Sequence, residues 1–344
     1  MNKTRWIALV GAVITIASLV YVFSSFDWAD ARHRLATANY PLLLLATILA
    51  TCIYPLRARR WRTILDPVVP KIPMGPLWRS VAIGQMLNNV VPSGRAGEPG
   101  RAYALSREVP SVPFATAFAS LIVDRAFDAI AVVLLTGISL VGPGAPTHTD
   151  ANVAKATVGF AVLAAGMLVT LFLLAFFPER LIRIFELFAR PVSRTVEQKG
   201  AEILRKFAHG FRVLRSPGHF AAIFGWALAL WLVQALAFWI GFKSVGIEVP
   251  FSAALFVQGA IVIFVTVPAA PGYFGLFELG AAKSLPLYGV PDNAAATWAV
   301  LFHVASFIPI TLFGAYYFAK LGLSLREITK TSGPSANAAP APSP

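Results

Sequence analysis

The segment N-N-V-V-P-S-G-R-A-G-E-P-G-R-A-Y-A-L, from Asn88 to Leu105, follows an apolar run, yet it carries Arg95, Glu98 and Arg101 at three-residue spacing. Gly94, Gly97 and Gly100, with Pro92 and Pro99, interrupt whatever helix it enters. In a water-soluble protein such a stretch is an ordinary surface turn. Its meaning here depends on the chain around it.

That chain is 57% hydrophobic and 13% charged, against about 45–50% and 25% for a soluble domain. Several stretches reach the roughly 18–20 apolar residues that cross a bilayer. The expected class is therefore an all-α polytopic membrane protein, with residues 1–330 as one membrane domain. The formal charge of +13 would suit nucleic acid, but the basic residues sit in loops between apolar spans. Membrane topology and anionic headgroups explain them, so no nucleic-acid partner is expected. The single cysteine, Cys52, excludes an internal disulfide framework, and the five histidines have no ligand spacing. No metal or cofactor is expected.

Taken in order, Trp6 to Phe23 reads as a retained first span and Asp27 to Asn39 as a short polar loop. Tyr40 to Leu56 is a second span, ending at Arg57, Arg59, Arg60 and Arg62, a cytoplasmic marker. Met74 to Val91 is too polar for a lipid-facing span and breaks at Pro92. With the glycine-rich motif it reads as a pair of re-entrant half-helices, since broken backbone at membrane depth needs protein or a cavity around it. Phe114 to Val141 and Ala156 to Phe177 are further spans. The basic segment from Pro178 to Pro217 reads as an amphipathic helix on the cytoplasmic surface, the alternative being a solvated connector. Phe220 to Phe242 spans, and Phe251 to Val267 stops at P-A-A-P-G-Y-F-G-L-F-E, from Pro268 to Glu278. Ala294 to Ala319 is the last span, and residues 331–344 form a Pro/Ala/Ser-rich tail expected to be disordered.

The expectation is thus six full transmembrane helices and two re-entrant broken-helix pairs, with both termini cytoplasmic. In that layout 23 of the 29 Lys and Arg residues fall on the cytoplasmic side. The halves, about 40–141 and 219–319, run through the same events: a span, a broken segment, an acidic residue (Glu98 or Glu278), a proline (Pro113 or Pro291) and a long span. Arg125 and His303 each lie twelve residues beyond that proline, about 18 Å along the helix and near mid-membrane. Interrupted segments in inverted halves point to a transporter's substrate site.

The candidate substrate-binding residues follow from this pattern. Arg95 and Arg101 would grip an anionic group with planar forks while Glu98 sets the geometry, and Asn89 stands beside them. Their alternative is a hydrated cytoplasmic loop. Asp124 and Asp128 lie four apart on one helix face, with Arg125 turned by about 100°. Each would cost roughly 2.5–3.5 kcal/mol facing lipid, so they must face a polar interior or pair with one another or with the motif. They serve either the site or a structural ion pair. Glu278 is the second-half counterpart of Glu98, and His303 reads as hydrogen-bonded packing or as a proton relay. No nucleophile–base pair or nucleotide fingerprint stands out, so the protein is not expected to be an enzyme.

Three motifs in this order, Asn89 to Arg101, D-R-x-x-D from Asp124 to Asp128, and P-G-Y-F-G-L-F-E from Pro271 to Glu278, resemble the lysylphosphatidylglycerol synthase transmembrane region, or flippase-like domain. The likeness covers about residues 5 to 325. It implies a stand-alone domain moving an anionic or modified lipid between leaflets of the bacterial cytoplasmic membrane. Arg95, Arg101 and Arg125 would attract the headgroup, and Glu98, Asp124, Asp128 and Glu278 would balance charge and carry protons. The fused synthase activity of bifunctional relatives is not carried over. Two departures stand out: Tyr273 and Phe274 replace the glycine and leucine that are frequent in that turn, and His303 stands where relatives often have arginine. Candidate partners are membrane lipids, an envelope-lipid biosynthetic enzyme and a second copy of the chain. The alternatives are a non-transporting accessory subunit of an envelope-lipid or glycosyltransfer pathway, and a membrane-embedded transferase with a lipid-linked donor.

Overall fold

The computed structural model describes residues 3–24, 26–91, 96–146, 177–189, 216–266, 271–325 and 327–328, with isolated positions between 166 and 173. Among them there is helix and no strand. The helices are α1 (Lys3–Phe23), α2 (Trp28–Ala36), α3 (Tyr40–Leu65), α4 (Met74–Val90), α5 (Gly97–Glu108) and α6 (Phe114–Val141). They continue with α7 (Pro178–Ala189), α8 (Pro217–Ser244), α9 (Phe251–Val265), α10 (Leu276–Ser284) and α11 (Asp292–Lys320).

Length and composition divide these helices into two kinds. α3, α8 and α11 have 26, 28 and 29 residues and are apolar enough to cross a membrane. The bent pair of Gly11–Phe23 and α2, turned by 83°, adds a fourth such span if counted as one. α6 has 28 residues, about 42 Å at 1.5 Å per residue, but its first half holds Asp124, Arg125 and Asp128. By contrast α4, α5, α9 and α10 have 17, 12, 15 and 9 residues. At 1.5 Å per residue none reaches the roughly 30 Å of a hydrocarbon core. They come as two packed pairs, α4 with α5 and α9 with α10, each pair interrupted by a proline- and glycine-rich break.

Local chemistry sets most boundaries. Asn39 Oδ1 caps α3 by accepting from the Leu42 amide at 3.1 Å. Prolines 73, 113, 250 and 291 stand immediately before α4, α6, α9 and α11, where a missing amide hydrogen costs nothing. The stretch Asp27 to Asn39, expected as a loop, instead contains α2. Asp27 Oδ1 caps it by accepting from the Ala29 amide at 2.8 Å, and Arg34 Nε donates to Asp30 Oδ2 one turn away at 2.8 Å. Capping and an i,i+4 ion pair make a helix from residues whose polarity alone reads as loop.

Packing joins the short pairs to the long helices. α3 lies along α8, and α4 is wedged between α5 and α11. Where α4 crosses α11 the backbones approach so closely that a Cβ on Gly314 would sit 2.4 Å from the Ala82 carbonyl oxygen and 2.3 Å from Met86 Cβ. One apolar cluster gathers Phe238, Phe242, Trp298 and Phe302 from α8 and α11. A second packs Trp61, Leu65, Leu77, Val81, Ala102 and Leu105 from α3, α4 and α5. The expected span from Ala156 to Phe177 and most of the basic connector lie outside the described residues. Within that connector α7 is helical, with Arg180, Arg183, Ile184 and Leu187 exposed.

Candidate functional site

The two aspartates of α6 cannot stay bare inside an apolar protein, because a buried charge needs a partner and hydrogen bonds. Their principal partners come from the arginine cluster of α3. Arg60 is fully buried; its Nε donates to Asp124 Oδ1 at 2.8 Å and its Nη1 to Asp128 Oδ1 at 2.7 Å. Arg57, one turn earlier, donates from Nη1 to Asp128 Oδ2 at 3.2 Å. Arg101 donates from Nη1 to Asp124 Oδ2 at 2.9 Å, and its guanidinium lies 4.0 Å from the centre of the Trp61 ring. Trp61 is fixed in turn by donating from Nε1 to Ser120 Oγ at 2.7 Å. Trp231 of α8 donates from its indole nitrogen to Asp128 Oδ1 at 2.9 Å. Arg125 pairs with Glu98 and lies 3.7 Å from Asp128 Oδ2. Four guanidinium groups thus meet three carboxylates, leaving one net positive charge on the network.

Beside this network is a cavity of about 780 Å³, within the usual range of roughly 300–1,000 Å³ for small-molecule sites. All three sequence motifs reach it. The first supplies Asn89 and Glu98, the second Arg125 and Asp128, and the third Tyr273 and Phe277. α3 adds Tyr54 and Arg57, α8 adds Trp231 and Gln234, α9 adds Gln258, and α11 adds His303. The site is a meeting of distant segments around one hollow, which sequence spacing alone does not reveal.

Not every expected residue faces that hollow. Asp124 and Arg101 are 1% and 5% exposed and do not line the cavity. Asp124 accepts from both Arg60 and Arg101, and Arg101 is held by that one contact through Nη1 and by the Trp61 ring. Glu278 is likewise turned inward. Its Oε2 accepts from the Gly275 amide at 2.6 Å, capping α10, and its Oε1 lies 2.7 Å from His303 Nδ1. His303 is sandwiched by Phe274 and Phe277, with ring centres 4.5 and 4.4 Å away. His303 is thus held by a hydrogen bond and by ring packing, and one side of it borders the cavity. Asn89 accepts from Gln85 Nε2 at 3.0 Å and donates to Thr311 Oγ1 at 2.7 Å, tying α4 to α11. Arg95 lies outside the described residues.

The turn before α10 accounts for one departure noted in the sequence. Gly272 and Gly275 have φ of 72° and 86°, and Tyr273 between them has φ of 60°. A left-handed backbone favours glycine, so a tyrosine here carries strain in return for a ring at the cavity wall. Sequence reasoning missed Arg57 and Arg60, taken only as topological markers, and also Tyr54, Trp231 and Gln258. One signal was available for the arginines: two intramembrane aspartates require cations, and a cluster at the end of the adjoining span can supply them. Among the described residues no three His, Cys, Asp or Glu side chains come together to hold a metal ion.

Apolar helices of spanning length, and paired short helices around a cavity with charged groups on a largely apolar wall, define an α-helical integral membrane protein. The chain belongs to the lysylphosphatidylglycerol synthase TM region family, whose sequence model matches residues 7–314. It is 24% identical to glycosyltransferase AglD of Haloferax volcanii over 96% of this chain, and it spans only 57% of that protein's length. It is 26% identical to a UPF0104 membrane protein of Methanothermobacter thermautotrophicus, covering 90% of this chain and 92% of the relative. A UPF0104 membrane protein of Pyrococcus horikoshii is 24% identical, over 90% of this chain and 96% of its own length.

Proposed function

We propose that the protein is a lipid translocator, not an enzyme, moving a lipid headgroup between the leaflets of the cytoplasmic membrane while the acyl chains stay in the bilayer. The observation that carries this reading is the cavity bordered by both broken-helix pairs, with charged and amide side chains on a largely apolar wall, since interrupted segments at a central site are how transporters bind substrates at membrane depth. In this reading the chain makes six crossings: α1, α3, α6, the segment from Ala156 to Phe177, α8 and α11. The pairs α4/α5 and α9/α10 re-enter from opposite sides as inverted halves, and both termini are cytoplasmic, in keeping with the distribution of Lys and Arg. The relatives named above are archaeal, so a bacterial membrane is part of the proposal.

Arg125 and Glu98 border the cavity as a half-exposed pair. They are the groups best able to exchange their mutual contact for a passing headgroup. Of the two headgroup classes expected, anionic or modified, the charge-balanced lining favours the modified one. A second reading has one observation behind it: a relative bears the name glycosyltransferase and is longer than this chain. In that reading the domain is a non-transporting membrane subunit for glycosyl transfer to lipids.

Leaflet exchange of tail-labelled lipids in liposomes separates the two. Wild-type protein is expected to accelerate exchange, and Arg125→Ala to slow it by about tenfold, the equivalent of 1.4 kcal/mol. Exchange no faster than in protein-free liposomes, for neutral, anionic and glycosylated lipids alike, would reject translocation and leave the subunit reading.

A further inference from the structure

The charged side chains that line the cavity itself are two of each sign, although Asp128 is shared with Arg60 in a wider network that carries one net positive charge. Arg57 is held by Asp128, and Arg125 by Glu98 and Asp128. The two arginines that reach the cavity thus meet two carboxylates that also line it. A phosphate or carboxylate arriving there must displace a carboxylate already in place, trading one charge-assisted pair for another.

Gln258 is uncharged and, like Arg57 at its Nε, has buried polar atoms without a hydrogen-bond partner among the described residues. It lies on α9, is 1% exposed and borders the cavity, and among the described residues neither its Oε1 nor its Nε2 has a hydrogen-bond partner. Buried polar groups are nearly always satisfied, and a ligand group can satisfy this amide once the side chain turns toward the hollow, since neither amide atom is exposed in this conformation. Its chemistry selects the ligand. A carboxamide offers a donor and an acceptor side by side. A phosphate oxygen answers only the donor and an ammonium only the acceptor, whereas hydroxyl groups answer both.

The walls agree with this selection. Tyr54, Trp231, Tyr273 and Phe277 give the cavity aromatic surface, and the Trp231 N–H is committed to Asp128. Aromatic walls with a few fixed polar atoms suit a ring that is apolar on its faces and hydroxylated at its rim. We propose that the headgroup taken by this cavity is a neutral, polyhydroxylated glycosyl group carried on a lipid, with Gln258 reading its hydroxyls. The transport of that group rests on the translocator reading; its binding does not.

The test uses full-length protein in phosphatidylcholine nanodiscs and liposomes. Binding and leaflet exchange are measured for tail-labelled monoglucosyl diacylglycerol, for phosphatidylglycerol, whose anionic headgroup also bears two hydroxyls, and for phosphatidic acid, which offers phosphate alone, with methyl β-glucoside as a soluble competitor. The glycolipid is expected to bind at least about tenfold more tightly than phosphatidylglycerol. Gln258→Leu is expected to erase that preference without lowering the thermal midpoint, because it removes an unpartnered amide. Gln258→Asn, which stays polar but is one methylene shorter, is expected to weaken glycolipid binding and serves should the leucine variant not fold. Equal or tighter binding of phosphatidylglycerol, no binding of either lipid, or a preference that survives both substitutions would overturn the proposal. Methyl β-glucoside binding as tightly as the glycolipid would overturn the lipid as its source. Glycolipid binding without exchange would support the headgroup assignment and reject translocation. Exchange of phosphatidylglycerol without glycolipid binding would do the reverse.

Discussion

Replacing Arg60 by methionine would remove a guanidinium that is fully buried and that serves two carboxylates at 2.7–2.8 Å. Methionine fills much of the space, so the cost is chiefly electrostatic. Asp124 would keep Arg101, and Asp128 would keep Arg57 and Trp231, but each would lose its shortest cationic contact. Stripping one member from a buried ion cluster costs about 3–5 kcal/mol, roughly two to four orders of magnitude in the folded-to-unfolded ratio. Solvent screening offers no discount at a site this enclosed. The natural control is the adjacent residue. Arg59 donates to Thr63 on its own helix at 3.1 Å, and Arg59→Met should cost less than about 1 kcal/mol. Equilibrium unfolding of the purified protein in mixed micelles, followed by tryptophan fluorescence, reads both. Combining Arg60→Met with Asp124→Asn should cost less than the sum of the two single changes, because the Arg60–Asp124 contact is then lost only once, even though Arg101 also gives up its carboxylate. If Arg60→Met were as mild as Arg59→Met, or if the double variant were the sum of its singles, the network would not be the internal brace described above.

Three further outcomes follow from local geometry. Tyr273→Gly, at a φ of 60°, should leave stability unchanged or raise it by up to about 1 kcal/mol by relieving left-handed strain, as thermal denaturation will report. Gly314→Val would press a side chain against Ala82 and Met86 and should cost about 1–3 kcal/mol through overpacking, lowering the thermal midpoint. The Asp30 carboxyl is held below its ordinary value by hydrogen bonds from Arg34 and then Asn293. Its contribution is therefore complete above the ordinary carboxylate value near 4 and is lost as pH falls through the depressed one. Exposure keeps the effect small, and Asp30→Asn should flatten the fall in thermal midpoint between pH 5 and pH 3.

The sequence made the helices legible where composition and breakers agree. Phe114 to Val141 was bounded by Pro113 and Gly142 and was observed with those limits. The breaks after Val90 and Val265 were equally plain, because proline and glycine remove donors and strain the backbone locally. α2 was not legible, because its helix rests on a cap and one ion pair within polar residues. The site was legible as three separate motifs, but their meeting was not, since it depends on how α4, α6, α9 and α11 pack. The division of labour among the charges was also hidden. Arg59 and Arg60 are neighbours in sequence, yet one faces its own helix and the other the two aspartates, a difference of about 100° of helical rotation. In the same way the inward partners of Arg101 and Glu278, Asp124 and the Gly275 amide, become visible only in three dimensions.

Asp128 touches Arg60 inside the protein and also borders the cavity, so the wall of the hollow and the brace of the helices are partly the same atoms. This sets which substitutions a lineage with this architecture can accept. A change at Asp128 or Arg57 that retunes ligand choice also loosens the helix bundle and falls foul of folding before it can be tested for use. Gln234, Gln258 and Tyr273 border the same hollow without belonging to the ionic brace. Diversification of ligand choice is therefore channelled through the uncharged residues, while the acids and arginines are held in place by the bracing of the helices.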